Sequence, residues 1–168
     1  MPRARCSWSR SLRAPSNSPI ERYATSVLHA VIIGCGRVGS SVAKQLAGDG
    51  WDVTCVDEDE NALARLGAWK GGFVVGHGMD KDILEEAGAV TADAAVVATD
   101  GDNSNIVIGQ IMQRRYGITC VVVRVLDPAR AEFYSNLGLH TVCPTQTAIS
   151  TLTEAVRACE VPVPKVAS

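Results

Sequence analysis

His29-Ala30-Val31-Ile32-Ile33-Gly34-Cys35-Gly36-Arg37-Val38-Gly39 runs from an apolar segment straight into G-x-G-x-x-G, and Asp57 follows eighteen residues later. The apolar run is long enough for a buried strand. Ser40 to Ala47 continues as an amphipathic segment that predicts a helix. In such a strand–turn–helix the three glycines have separate tasks. Gly34 lets the chain turn tightly, Gly36 lets the backbone approach a pyrophosphate, and Gly39 lets helix and strand pack closely. The N–H groups of the helix start favour an anion. A second apolar run, Asp52 to Val56, closes at Asp57. A carboxylate there can accept hydrogen bonds from both ribose hydroxyls of an adenosine. The glycine pattern alone is a weak signal. Strand, glycines, helix, strand and acid in this order point to a nucleotide-binding turn.

Beyond this unit the alternation continues. Apolar runs predict strands near 29–33, 52–56, 72–75, 93–98, 119–124 and 140–143. Helical periodicity fills the gaps near 37–48, 59–67, 80–87, 102–116, 127–137 and 145–159. Ala94-Ala95-Val96-Val97-Ala98 and Cys120-Val121-Val122-Val123 show no polar alternation, as expected of parallel strands buried on both faces. The expected fold class is α/β, a doubly wound parallel six-stranded sheet of Rossmann type in a single domain. Right-handed crossovers and the nucleotide turn favour strand order 3-2-1-4-5-6. Pro128 at a helix start and Gly138 just after a helix end fit the usual punctuation.

The chain has 168 residues, enough for one ordinary domain, and 46% of them are hydrophobic, so a substantial core can form. Residues 1–28 hold five Arg against one Glu, a net of +4. The remaining residues hold eleven Lys or Arg against seventeen acids, a net of −6. An acidic domain without a basic stripe argues against nucleic acid as a partner. No apolar run approaches the roughly 18–20 residues needed to cross a bilayer. The six Cys form no C-x-x-C and none sits near a His at zinc-site spacing. Four lie within or beside apolar strand-like runs and are expected to act as small reduced hydrophobes.

Residues 1–28 form an Arg-, Ser- and Pro-rich leader, expected to be disordered. It lacks the apolar core of a secretory signal. Two further readings of it stand: an organellar transit peptide, or a leader created by start-site choice with translation beginning near Val27. Residues 29–159 form the expected domain, and 160–168, with Pro162 and Pro164, a flexible tail.

The motifs extend past the glycine turn. Val56-Asp57-Glu58-Asp59 follows strand two, and Asp80 to Gly88 reads D-x-x-x-L-x-x-A-G. Ala92-Asp93-Ala94 precedes strand four, and Thr99, Asp100 and Asn105 fit T-D-x-D-x-x-N. Arg124-Val125-Leu126-Asp127-Pro128 fits R-x-x-D-P. With these motifs the chain, from residue 29 to about 157, resembles the RCK N-terminal domain, the nucleotide-binding module of TrkA and KtrA proteins. Two departures stand out. Gly76-His77-Gly78-Met79 replaces the family's usual G-D-[AG]-T, so His77 can meet an adenine edge but brings no fixed negative charge. Many relatives also continue into a second lobe, which here is expected to be dispensable or supplied by another chain.

The resulting candidate ligand set is Gly34, Cys35, Gly36, Arg37, Val38 and Gly39 of the turn, Asp57 and Glu58 after strand two, His77, Gly78 and Met79 after strand three, Thr99, Asp100 and Asn105 after strand four, and Arg124. Arg37 either reaches a phosphate, as the resemblance implies, or is a solvated helix-start residue. Thr99 and Asp100 either line the pyrophosphate side or cap a helix. Asn105 and Arg124 belong to the cleft edge or a subunit contact, and Arg124 with Asp127 also fits a local ion pair. No Arg stands at 58–60 to neutralise a 2′-phosphate, which favours NAD(H), ATP or ADP over NADP(H).

No catalytic or metal-ligating residue is assigned. Hydride transfer needs an acid–base group beside the nicotinamide. His29 and His140 instead begin strands, at the far end of the sheet from the expected cleft. The resemblance implies a non-enzymatic cytoplasmic regulator of a Trk/Ktr-type membrane potassium transporter subunit, peripheral at the inner face of the plasma membrane. It also implies a homodimer or larger ring, jointly with an RCK paralogue in one variant. The alternative is a small NAD-dependent oxidoreductase, or an orphan cofactor domain with its catalytic lobe on another chain. An apolar stripe of Ala148, Ile149, Leu152, Ala155, Val156 and Cys159 is expected to be buried, on its own sheet or on a partner.

Overall fold

The computed structural model describes residues 27–159. The expectations for the leader up to residue 26 and for the tail lie outside the described residues. Six strands, β1 His29–Ile33, β2 Asp52–Asp57, β3 Gly72–Val75, β4 Ala94–Val97, β5 Cys120–Arg124 and β6 His140–Val142, form one sheet in the order β3-β2-β1-β4-β5-β6. Every pairing is parallel. The expected class and strand order hold.

β1 shows why its sequence lacks alternation. Val31 and Ile33 point to one face, into a core with Leu84, Ile108 and Met112. Ala30 and Ile32 point to the other, against Ala43, Ala62 and Leu66. Both faces are covered, so every position after His29 is apolar and buried. The first face carries helices α2 Lys81–Glu86, α3 Asp102–Arg114 and α4 Pro128–Asn136. The second carries α1 Arg37–Gly48 and a 3₁₀ helix, Glu60–Leu66. The chain reverses its winding between β1 and β4, which opens a crevice at their carboxyl ends.

Two expectations are refined here. The segment near 59–67 is helical as expected, in the tighter 3₁₀ form. Asp59 caps it from one side and Gly67, at φ +67°, ends it on the other, leaving seven residues that need bury only Ala62 and Leu66. Short connectors with so few anchors commonly take the tighter helix. The core-cysteine expectation holds for Cys35 and Cys55 but not for Cys120, which opens β5 exposed.

The last helix, α5 Pro144–Ala158, has its apolar stripe but buries none of its residues. Ile149, Leu152 and Val156 are 50%, 67% and 66% exposed. Packing of the stripe on its own sheet is thereby excluded. Full burial of each such side chain is worth about 1.5–3 kcal/mol, so the face is a strong candidate for covering by another surface.

Candidate nucleotide-binding site

A cleft of about 540 Å³ lies over the carboxyl ends of β1, β2 and β4. The glycine turn forms its floor. Gly34 takes φ +92° and sits so close to β4 that a Cβ would lie 2.6 Å from the Thr99 nitrogen. A Cβ on Gly39 would collide with the carbonyl oxygen of Gly34. Gly36 has nothing within 4 Å of that position, so its outer side is open to a ligand. The turn is closed by Gly34 N–H donating to the Val56 carbonyl at 2.8 Å.

Asp57 is held from two sides. Its carboxylate accepts the backbone N–H of Cys35 at 2.6 Å and that of Asp59 at 3.0 Å. Two bonds leave lone pairs for further donors, and the group lines the cleft half-buried. The Cys35 side chain points away into the core, so this residue contributes backbone only. Cys55 is buried in the same core cluster, and the two thiols interact. That contact lowers the Cys35 pKa and, with burial, pushes Cys55 up.

Helix capping marks the site independently. Asp59, Asp80, Asp127 and Cys143 cap their helices with side-chain acceptors. α1 and α3 begin instead at Gly36 and Gly101, with no side-chain cap, and both glycines line the cleft. Two bare helix N-termini therefore face one cavity, which suits an anion. The capping alternative for Thr99 and Asp100 falls: both line the cleft and neither caps α3. Arg37 lines it too, with its side chain exposed beside Gly36.

Asn105 and Arg124 stand behind the cleft rather than in it. Asn105 is fully buried, and its amide is spent. Its Oδ1 accepts from Thr99 N–H and Oγ1, and its Nδ2 donates to the carbonyls of Thr99 and Arg124. Arg124 donates from Nη2 to the Thr99 carbonyl at 2.5 Å, and its Nε is buried without an acceptor among the described residues. The alternative of an Arg124–Asp127 ion pair is not taken up; Asp127 instead caps α4, accepting Arg130 N–H. These two residues fix Thr99; a direct ligand contact is not open to Asn105.

His77 sits on the rim. Its Nδ1 accepts Met79 N–H at 3.1 Å, so Nε2 carries the proton and faces Glu58 Oε1 at 3.4 Å. Gly78 lines the cleft, whereas the Met79 side chain leans into the core. Val38 is 44% exposed and lies outside the cleft lining, as does Gly39.

Sequence reasoning missed Arg65, Gly101 and Ser104, all in the lining. Gly101 was legible as a helix start without a capping residue. Arg65 was not, because the 3₁₀ helix delivers it from eight residues beyond Asp57. No Arg stands at 58–60, as read from the sequence, but Arg65 brings a cation to the lining from further along the chain; it lies 4.0 Å from Asp59, and both are half-exposed.

Among the described residues no helix is long and apolar enough to cross a membrane, and no three His, Cys, Asp or Glu side chains gather to hold a metal ion.

The site can be set beside known proteins. The chain is 44% identical over 116 residues to the Trk system potassium uptake protein TrkA of Streptomyces coelicolor, covering 68% of this chain and 52% of that one. It is 34% identical over 131 residues to a TrkA homolog of Methanothermobacter thermautotrophicus, covering 77% and 60%. The chain thus spans about half the length of the first of these relatives. Among solved structures, the Kef C-terminal domain of Shewanella denitrificans in its AMP-bound form superposes with a TM-score of 0.66 at 25% identity, covering 80% of this chain and 83% of that one. Residues 30–145 match the TrkA-N domain, which takes in the glycine turn, all six strands and the whole cleft, and the chain belongs to that family.

Proposed function

We propose that the chain is a nucleotide-binding regulatory module, taking NAD(H), ATP or ADP, that controls a Trk/Ktr-type membrane potassium transporter subunit and does not turn its ligand over. The observation that carries the first half is the Asp57 carboxylate, fixed by Cys35 and Asp59 N–H groups beside a bare helix N-terminus. Ribose at Asp57 puts the phosphates over Gly36 and Arg37. The relatives' name, potassium uptake protein, supports the second half. The AMP bound to the Kef domain, at the same fold, supports the first half.

The exposed α5 stripe supports assembly. A second copy of the chain, or an RCK paralogue, covering Ile149, Leu152 and Val156 gives a homodimer or larger ring at the inner face of the plasma membrane. Regulation then requires the nucleotide to favour one arrangement of the ring over another; equal affinity for both shifts nothing. The test is co-purification with a Trk-type membrane subunit, followed by potassium flux in proteoliposomes with and without ADP or NADH. Nucleotide-dependent flux supports the reading. A chain that neither co-purifies nor alters flux contradicts it.

A further inference from the structure

Arg65 enters the cleft lining from the 3₁₀ helix that follows β2, eight residues beyond Asp57. Its backbone is fixed: Leu66 beside it is buried, and Lys44 Nζ of α1 donates to the Arg65 carbonyl at 2.5 Å. Its guanidinium is steered but not consumed. Asp59, its carboxylate neighbour, lies 4.0 Å away, beyond hydrogen-bond distance. Asn61 holds the other Asp59 oxygen, Oδ1, through its N–H at 2.9 Å and its Nδ2 at 2.8 Å.

The rest of the cleft says what this end receives. With phosphate at Gly36 and ribose at Asp57, the base lies between the loops that follow β2 and β3. On the β3 side stand Gly76 and Gly78. A Cβ on either would run into Ile83 or Ile33 of the core, so these two residues offer the ligand backbone alone, while the His77 side chain between them is held at the rim by Met79 N–H. No aromatic side chain lines the cleft among the described residues. A flat base gains most from a flat partner, and a guanidinium is planar, weakly hydrated and stacks on π-systems.

We propose that Arg65 is a ligand-contacting residue whose guanidinium lies across the ring of the base, opposite the Gly76–Gly78 backbone, and makes the site selective for purine over pyrimidine nucleotides. This rests on the nucleotide-binding reading above. A two-ring base covers more of the guanidinium than a one-ring base, while ribose and phosphate contacts are common to both. The preference therefore resides in Arg65.

The experiment titrates the full chain with ADP and UDP, as wild type and as Arg65→Ala, Arg65→Lys and Arg65→Phe, with urea unfolding to confirm equal folding. Wild type should prefer ADP. Arg65→Ala should lose about tenfold in ADP affinity and much less for UDP, in line with stacking on an Arg plane. Arg65→Phe, which keeps a flat face without charge, should restore the ADP preference, and Arg65→Lys should not. Equal weakening for ADP and UDP, unchanged ADP binding in Arg65→Ala, or rescue by Lys but not Phe each overturns the proposal while leaving nucleotide binding intact. A wild type that binds neither nucleotide removes both the proposal and the reading beneath it.

Discussion

The carboxylate of Asp57 accepts the backbone N–H of Cys35 at 2.6 Å, tying the end of β2 to the middle of the glycine turn. Asp57 and the glycine turn are thus held together as one unit. A ligand carrying extra negative charge at the ribose meets Asp57, Glu58 and Asp59, with Arg65 beside Asp59 as a partial offset. NADPH should therefore bind more weakly than NADH. Competition titration against a fluorescent adenosine nucleotide measures the ratio; tighter NADPH would show that Arg65 outweighs the three acids.

Gly39→Ala tests the contact between helix and turn. The new Cβ collides with the Gly34 carbonyl, and neither backbone can yield without opening the turn. We expect a loss of about 3 kcal/mol or more, at the upper end for overpacking. Urea denaturation reads it directly. A midpoint equal to wild type would mean that α1 and the turn are not seated as described.

Asn105→Ala should act at a distance. It removes the partners of Thr99 N–H and Oγ1 and of two carbonyls, all behind the cleft wall. Leaving such groups unpaired costs about 1–3 kcal/mol each when no water replaces the amide. The expected outcome is lower stability together with weaker nucleotide binding, because Thr99 loses its anchor. Unchanged affinity in a folded variant would show that Thr99 holds its place without Asn105.

The sheet, its order and the glycine turn were legible because their signals are local. Apolar runs such as Val31-Ile32-Ile33 and glycines at fixed offsets need no knowledge of what lies across the fold. Asp57 was legible for the same reason. The roles of Asn105 and Arg124 were not, since sequence shows polarity but not whether a side chain faces a cavity or a neighbouring loop. Arg65 was hidden because the helical periodicity near 59–67 does not tell a 3₁₀ helix from an α-helix, and the two aim a side chain in different directions. The stripe on α5 was legible as apolar, but only the structure excludes its own sheet as the covering surface.

Leu152→Asp with Val156→Asp tests that surface. Both residues are about two-thirds exposed, so the charges add little strain to the isolated domain. The doubly substituted chain should remain folded and sediment as a monomer under conditions where wild type forms a dimer or larger ring. Identical sedimentation of the two proteins would place the assembly contact elsewhere.

The most direct measurement is calorimetric titration of the wild-type chain and of Asp57→Ala with NADH, ADP and ATP. Saturable binding of at least one of them is expected, with one site per chain and the nucleotide recovered unchanged. Asp57→Ala should lose roughly 1–3 kcal/mol of that affinity, as for a charged hydrogen-bond partner removed. Absence of binding by the folded wild type, or equal affinity in Asp57→Ala, would contradict a nucleotide site built on the glycine turn and Asp57.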